Sequence, residues 1–505
     1  MASMIDRLPQ IDIDVDGHPL PQACARLFTG MRVQQHLSQP SQCELVFVQV
    51  DDGAVERAFA LGAALRVSER EVPAALFEGR VSAIEFGYRA GRGNTISVRG
   101  YDDLMTLRNR QRVRAHMALT VADLARELVA DLGLRVEAPT PGPVWQRLLQ
   151  TSSDFDVLAD VAARCGLHFT IRERTLNLLT LEGVGELQML RLNENLLEAT
   201  IEANSNRSCR RVEATGWDPW RGEARSGTAE RARTAREVNI DAPASRIGGT
   251  DDRTLVAGAF QDDGQAEAAA QADLDWRAAH EVVFRGVASG NPQLRPGSRV
   301  QVAGVAASVA GIHVLASALH TLDPDEGYRS EISSALPEPP VRDRGTTMTI
   351  GRVTRVDDPQ TLGRVQVSMP AYDDIESNWL QILAPGAGSG KGLVAPLDIG
   401  DLVLLLLEAQ DPAQSLVLGS LYGDRGLPEG HDVRGKGASF TFLSPGGQRI
   451  CLDDAKRTLR LQNDTGSSVE MSAEKMTLRS AVPLTIEAPG QKLTFRAQFI
   501  DFDRA

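Results

Sequence analysis

Ile450-Cys451-Leu452, Leu459-Arg460-Leu461, Val469-Glu470-Met471, Met476-Thr477-Leu478, Leu484-Thr485-Ile486 and Leu493-Thr494-Phe495 repeat one apolar-polar-apolar pattern, with starts nine, ten, seven, eight and nine residues apart. Turn formers separate the units: Asp453-Asp454, Asn463-Asp464-Thr465-Gly466, Pro483 and Pro489-Gly490. Alternation with period two reads as a strand with one buried face, and repetition at a short fixed period marks stacked β-structure. Each unit offers only two or three apolar side chains on that face. They cannot enclose a dry core unless other copies supply the remaining walls, so the pattern implies a homo-oligomeric β-prism. Periodicity alone leaves a second reading open, an ordinary antiparallel meander packed on the rest of the chain.

Upstream of the repeat, five short strands with glycine turns are expected: Thr349 to Val356, Gly363 to Met369, Trp379 to Leu383, Leu402 to Leu407 and Ser415 to Leu421. Five strands in so short a span fit a small closed barrel of the oligonucleotide/oligosaccharide-binding (OB) type. Eighteen residues, Gly423 to Phe440, then lead to the repeat. Further upstream, Ile11 to Val15, Cys43 to Val50, Leu76 to Ile84 and Thr95 to Gly100 alternate as barrel strands. Thr120 is a helix N-cap for Val121 to Val129, and Ser153 one for Asp154 to Arg164. Strands return at His168 to Leu181 and Leu196 to Trp217. Arg221 to Thr254 is polar and charge-dense and reads as exposed loop. An Ala-rich helix, Gln265 to His280, precedes strands punctuated by Asn291-Pro292 and Pro296-Gly297, and Pro337 to Pro340 reads as a linker.

At 505 residues the chain exceeds one core and suggests three to four domains of ~150 residues. Its composition, 42% hydrophobic and 24% charged, is that of a soluble globular protein. The net charge of -13 argues against nucleic-acid binding, which needs concentrated Lys and Arg. Gly447 to Ala505 is different, with nine basic and eight acidic residues, so the acidity belongs to the body. Five cysteines without a CxxC pair suggest a reducing compartment and no structural zinc. No apolar stretch near the N-terminus suits a signal peptide. The longest aliphatic run, Leu402 to Leu407, falls far short of the ~20 residues that span a bilayer. The expectation is a protein synthesised in the cytoplasm.

Candidate chemistry is sparse. Asp12-Ile-Asp14-Val-Asp16-Gly17 looks like half a calcium loop, but Ala23 stands where the bidentate Glu belongs, so a hairpin turning at Asp16-Gly17 is the better reading. Gly386 to Gly392 approaches a phosphate loop, yet Pro385 and Gly392 occupy its two defining ends. His313 and His320 flank a strand-like stretch, Ile312 to Leu319, on opposite faces. Adjacent carboxylates at Asp357-Asp358, Asp373-Asp374 and Asp453-Asp454 sit in turn contexts. No catalytic residue, metal site or cofactor is expected.

In order, these segments resemble the central spike of contractile injection systems, the family of VgrG proteins, phage tail hub-and-spike proteins and their extracellular relatives. The barrel carries the most specific match: Gly351-Arg-Val353, Asp358-Pro359, Leu362-Gly-Arg-Val-Gln-Val367, Met369-Pro370, Trp379, Gly400-Asp-Leu-Val403, Asp411-Pro412 and Leu418-Gly-Ser-Leu-Tyr422. Phe77-Glu-Gly-Arg-Val81 with Val98-Arg-Gly-Tyr-Asp102 is similar to the hub's first barrel. Ser153 to Leu158 through Cys165-Gly-Leu-His-Phe169 looks like its helical insertion, and Leu294-Arg-Pro-Gly297 with Gly311-Ile-His-Val314 suggests the second barrel.

The resemblance implies a mainly β protein with a helical insertion (α+β): hub barrel 1 over 1–110, a helical or mixed insertion over 111–190, hub barrel 2 over 191–340, an OB-type neck barrel over 341–424, and a linker with a trimeric β-prism or β-helix over 425–505. It implies a homotrimer joining baseplate and inner tube, partnered by tube and baseplate proteins and by cargo or effectors. Sheath contraction would drive it through a target envelope, as part of a phage tail-like particle deployed outside the cell. No enzyme domain fits between barrel and spike or beyond it, so a bare spike is expected; the alternative is a phage-type tail tip with peptidoglycan hydrolase activity. Ile450, Leu452, Leu459, Leu461, Val469, Met471, Met476, Leu478, Leu484, Ile486, Leu493 and Phe495 would form the prism core. Phe499, Ile500 and Phe502, rimmed by Asp501, Asp503 and Arg504, would either receive a PAAR-like tip protein or close the prism.

Overall fold

The computed structural model describes residues 11–49, 53–70, 72, 74–88, 94–218, 220–338, 345–408, 412–427 and 439–502. Two compact units divide the chain, Met1–Leu421 and Tyr422–Ala505.

In the first unit the chain's dominant pattern, alternation, builds an eleven-stranded sheet. Its order is Leu196–Ala203, Val282–Ser289, Gly327–Ser333, Ser317–Asp323, Phe28–His36, Gln42–Gln49, Asn94–Tyr101, Ala75–Gly87, Ala64–Glu69, Ile11–Val15 and His18–Pro19. Odd-numbered residues of the Phe28–His36 and Gln42–Gln49 strands point inward: Val33, Cys43, Leu45 and Phe47 are all fully buried. Pairing of Val33 with His320 joins the segments expected as two hub barrels through one continuous sheet. Each half retains its own core, one around Leu45, Phe47, Leu65 and Val98, the other around Leu196, Phe284, Val300 and Leu315. The turn at Asp16-Gly17 is a two-residue hairpin in which both residues take left-handed φ, 50° and 77°.

Both helices of the insertion begin where their caps are. Thr120 Oγ1 accepts from the Asp123 N–H, and the Asp123 carboxylate returns the bond to the Thr120 N–H, a capping box for Val121–Val129. Ser153 caps Asp154–Arg164 more simply: its Oγ accepts the Asp156 N–H at 3.1 Å and donates to the Asp156 carboxylate at 2.6 Å. Leu124, Leu128, Leu158 and Val161 line the facing stripes, with Phe155 edge-on to Phe169 at 5.7 Å.

Several expectations are corrected. Arg221 to Thr254 is not simply exposed loop: Glu223–Ala229 and Asp252–Ala259 flank Arg211–Asp218 in a three-stranded sheet. That sheet packs on the helix Asp263–Glu281 through Val212, Ala214, Ala266, Ala270 and Leu274. Small alanines do the covering, which is why the segment lacks a large-hydrophobic signature. The polar residues are used as anchors: Glu281, 2% exposed, accepts from Arg210 at 2.7 Å and Arg236 at 2.8 Å. Leu196 to Trp217 holds two strands, Leu196–Ala203 and Arg211–Asp218. Ile312 to Leu319 is also broken, because Leu315 and Ala316 separate Gly311–Val314 from Ser317–Asp323 and send them into different sheets. Of the expected linker Pro337 to Pro340, the last two prolines lie outside the described residues.

The OB-type sheet runs Ile375–Glu376, Gln366–Met369, Thr347–Arg355, Leu402–Leu407, Ser415–Leu421. The expected strand Trp379 to Leu383 reduces to two isolated bridges, Leu380 to Val365 and Ile382 to Val417, which tie the sheet's two ends together. Asp358 and Arg364, both nearly buried, form a bidentate pair at 2.8 and 3.0 Å, and the Asp358 carboxylate also accepts the Leu362 N–H at 2.9 Å. Arg364 holds Asp358 well below the ordinary carboxylate range. This barrel is fastened to the insertion by Arg147, 8% exposed, whose guanidinium donates to the carbonyls of Glu376 and Ser377.

Two measurements test this reading. Arg147→Ala removes the guanidinium donor from the Glu376 and Ser377 carbonyls and is expected to destabilise the junction by about 1–3 kcal/mol, read as faster amide exchange in residues 366–380; unchanged exchange would refute it. Burial lowers His313 to about 4 and His320 to about 3 from 6.5. The folded state therefore stays neutral where the unfolded chain takes up protons. Stability is complete above about pH 6.5 and falls as the pH drops from there toward 4, by up to about 1.4 kcal/mol per unit for each histidine. Thermal midpoints measured across that window should fall, and His320→Asn should flatten the slope.

Candidate functional site

The second unit holds the most unusual surface. Ser439–Leu443, Arg449–Asp453, Thr458–Gln462, Ser468–Met471 and Met476–Arg479 form an antiparallel sheet in chain order. Register aligns its apolar residues into two columns. Phe440, Leu452, Leu459, Met471 and Met476 oppose one another strand by strand, and so do Phe442, Ile450, Leu461, Val469 and Leu478. Residues two apart on a strand share a face, so both columns lie on one side. The other side carries Thr441, Cys451, Arg460, Glu470 and Thr477 in a third column, with Arg460 and Glu470 3.8 Å apart.

Nothing in the described unit covers the apolar face. Phe440 is 70% exposed, Met476 66% and Ile450 42%, and no described residue after Tyr422 is buried. Strands with one apolar face are stable only when that face is packed against something. The tight turns are supplied by Gly447 and Gly466, both at positive φ, and by Asp453, whose carboxylate accepts the Lys456 N–H at 2.9 Å.

Of the twelve residues expected in a prism core, eight lie in this ladder: Ile450, Leu452, Leu459, Leu461, Val469, Met471, Met476 and Leu478. Leu484, Ile486, Leu493 and Phe495 do not; they follow the sheet in chain that forms no strand, and all are exposed. Pro483 and Pro489 remove ladder donors beside these units. Phe440-Thr441-Phe442 was missed by the count, though it is the same triplet ten residues before Ile450. Phe499 and Phe502 are 84% and 92% exposed, with Ile500 at 52%; Asp503 and Arg504 lie outside the described residues.

The chemical candidates are drawn into structural contacts. Asp12 pairs with Arg70 at 2.9 Å, and Asp16 accepts the Ala64 N–H. Gly386 to Gly392 closes a tight turn, with Gly388 and Lys391 exchanging backbone hydrogen bonds of 3.1 and 3.2 Å. His313 stacks on Phe284 at 5.3 Å, while His320 contacts Ser330 Oγ at 2.9 Å and the Leu294 carbonyl at 3.1 Å. Asp357 engages Arg355, Asp358 engages Arg364, and Asp373-Asp374 form a left-handed turn. Among the described residues no group of three His, Cys, Asp or Glu is placed to hold a metal ion, and no helix is long and apolar enough to cross a membrane. One open cleft of about 350 Å³ crosses five strands of the large sheet, with Gln34, His36, Glu198, Arg285 and Glu331 on its floor. His36 there is hydrogen-bonded to Gln34 at 2.8 Å.

Comparison with known proteins follows the same division. No curated protein matches the sequence. Residues 349–422 match the type VI secretion system/phage-baseplate injector OB domain, and residues 10–323 match the Alg8 N-terminal domain. Among solved structures, an E. coli type VI secretion component described as similar to the T4 bacteriophage tail proteins gp27 and gp5 is 11% identical, with a TM-score of 0.53 over 81% of this chain and 99% of that one. A chain of the Francisella PdpA–VgrG complex is 8% identical, with a TM-score of 0.54 over 93% of this chain and 87% of that one. At such identities these structures speak for the fold. Since the Alg8 N-terminal domain model spans well over half of the sequence, the chain belongs to that family, and residues 349–422 follow it with an OB domain of the type VI secretion system/phage-baseplate injector kind.

Proposed function

We propose that three copies of this chain bring their ladders together into a closed prism, a rigid spike that punctures a target envelope when a contractile sheath drives it. The observation that carries this is the pair of apolar columns, aligned in register and exposed on one face. A fully buried Leu, Ile, Phe or Met side chain contributes about 1.5–3 kcal/mol. These side chains are about half covered already, so a further ~1 kcal/mol each gives on the order of 10 kcal/mol per chain. That is comparable to the ~4–15 kcal/mol opposing association, so three walls closing together suffice where a single contact would not. Closure also removes open sheet edges, which suits a tip that must not aggregate.

In this reading residues 1–340 are the hub, divided near 110 and 190, residues 341–424 the neck, and residues 425–505 the linker and spike. The hub would meet baseplate and inner-tube proteins, and cargo or effectors would travel with it; that a VgrG chain assembles with PdpA in the Francisella complex supports the expectation of protein partners. Phe499, Ile500 and Phe502, with Asp503 and Arg504, would seat a PAAR-like capping protein, and Leu484, Ile486, Leu493 and Phe495 would join the prism once neighbouring chains offer edges. The particle would be assembled in the bacterial cytoplasm and deployed outside the cell. A structural role without catalysis is supported by the engagement of the candidate groups in salt bridges, turns and core contacts.

Light scattering of the purified chain is expected to give the mass of three chains. Leu461→Asp, in the middle of the ladder, should abolish that mass while leaving the circular dichroism of the larger unit intact, whereas Thr477→Asp on the reverse face should not. A monomeric wild type, or a Leu461→Asp trimer, would overturn the proposal. Deletion of Gln498 to Ala505 is expected to lose capping-protein binding with the trimer retained; unchanged binding removes the tip role. A zymogram should show no clearing of peptidoglycan.

A further inference from the structure

We infer that a small cavity between the large sheet and the insertion binds one small oxyanion that carries a hydroxyl group, of the hydrogen-phosphate class. It does not depend on the trimer reading. The cavity walls come from three separate parts of the chain: Gln35 and Ala75 from the first half-sheet, Arg172 from the insertion strand His168–Arg172, and Arg295 from the loop before Ser298–Ala303. The volume is about 30 Å³. A single water needs about 10–15 Å³, so the space takes one small anion or two waters.

Charge points to an anion. Both guanidiniums are largely covered, yet their hydrogen bonds go to neutral acceptors. Arg172 donates to the Pro296 carbonyl and to Ser298 Oγ at 3.3 Å, and Arg295 to the carbonyls of Pro292, at 2.6 Å, and Ala75. Burial, and then the charge of Arg295, lower Arg172 to about 10. The acidic side chains on the same wall are occupied elsewhere or point to solvent. Glu78 pairs with Arg66 at 3.1 Å, Glu173 is exposed, and the Asp102 carboxylate accepts the N–H groups of Ser41 at 2.9 Å and Leu104 at 3.1 Å. Burial also raises Asp102 to about 7, so near neutral pH its own negative charge is only partly present. Two covered cations that repel each other and lack a counter-charge favour an anion in the space they share.

Gln35 is an independent observation and specifies which anion. Its side chain is 8% exposed, and its Nε2 donates to the Leu76 carbonyl at 3.1 Å, which fixes the orientation of the amide. Among the described residues its Oε1 has no hydrogen-bond partner, and neither has the buried Arg172 Nε. Buried polar atoms left unpaired are rare because they are costly. These two ask for opposite things: Arg172 Nε needs an acceptor and Gln35 Oε1 a donor. Hydrogen phosphate offers both in one molecule, whereas sulfate and chloride offer acceptors alone. Water offers both as well, but leaves the two cations without a counter-charge. Bound here, the anion ties three segments of the chain together and stabilises the folded state by linkage.

The test titrates the purified full chain with sodium phosphate and, separately, with sodium sulfate at matched ionic strength near neutral pH, reading the thermal midpoint and the heat of binding. Phosphate is expected to saturate one site per chain and to bind about tenfold more tightly than sulfate, the factor expected of one hydrogen bond to a charged group. Gln35→Met keeps the size of the side chain and removes the acceptor, so the two anions should then bind equally. Arg172→Met and Arg295→Met should each lose the phosphate response. No saturable phosphate response in the wild type means that the cavity holds water only, and overturns the inference. A response equalled by sulfate, or one that survives in either arginine variant, overturns it too. If an arginine variant does not fold, the preference for phosphate and its loss in Gln35→Met decide alone.

Discussion

Most of the described strands pose the same demand: a face lined with apolar side chains has to be covered. Within the first unit the chain meets that demand itself. Val33, Leu45 and Phe47 close one half of the large sheet, Phe284 and Val300 the other, and Leu124 and Leu158 the insertion. In the second unit the demand is equally strong, and the described chain leaves it unmet. Ten apolar residues in perfect register are no accident of a solvated hairpin stack, because a surface strand has no use for aliphatic residues at every second position. What separates the two units is therefore where the covering layer comes from rather than the kind of structure they use.

Much of this was visible in the residue order. The turns at Asp453-Asp454 and Asn463 to Gly466, the caps at Thr120 and Ser153 and the Asp16-Gly17 hairpin are local devices, set by hydrogen bonds and φ angles within a few residues, and sequence states them directly. The strands of the ladder from Arg449 to Arg479 were legible for the same reason, since its connections are short and each strand neighbours the next. Long-range decisions were not legible. Nothing local to Ser317–Asp323 says that it pairs with Phe28–His36 almost three hundred residues away. The segment after Arg221 hid its order because its core contacts are alanines and its anchors are arginine–carboxylate pairs, which in sequence look like solvated charge. Leu484 and Leu493 show the converse failure, in which the pattern of a strand is present and no neighbouring strand is available within one chain.

The parts of the first unit are also held in place by directional contacts. Arg147 bonds the insertion to the barrel carbonyls of Glu376 and Ser377, Gln261 accepts from the Gln146 N–H and donates to the Arg147 carbonyl, and Gln381 donates to the Trp220 carbonyl. Arg295 donates to the Ala75 carbonyl and so links the chain's second half-sheet to its first. Hydrogen bonds to backbone carbonyls are directional and, when buried, expensive to break one at a time. Apolar contact alone resists separation but allows sliding; these pegs fix position as well. Leu149, from the insertion, sits among the barrel's own core residues and adds the apolar part of the same joint.

The barrel thus has two kinds of surface. It is anchored to the insertion by one side through Arg147, and elsewhere on its surface Met348 and Ile350 are exposed. A monomer would gain solubility by replacing either residue with a polar one, and the barrel's core, filled from the other face, would be unaffected. The same reasoning applies to the ladder and to Phe499 and Phe502. Exposed apolar residues gather in the ladder and the described residues that follow it, while the open cleft of the large sheet sets polar groups such as His36, Arg285 and Glu331 beside apolar ones.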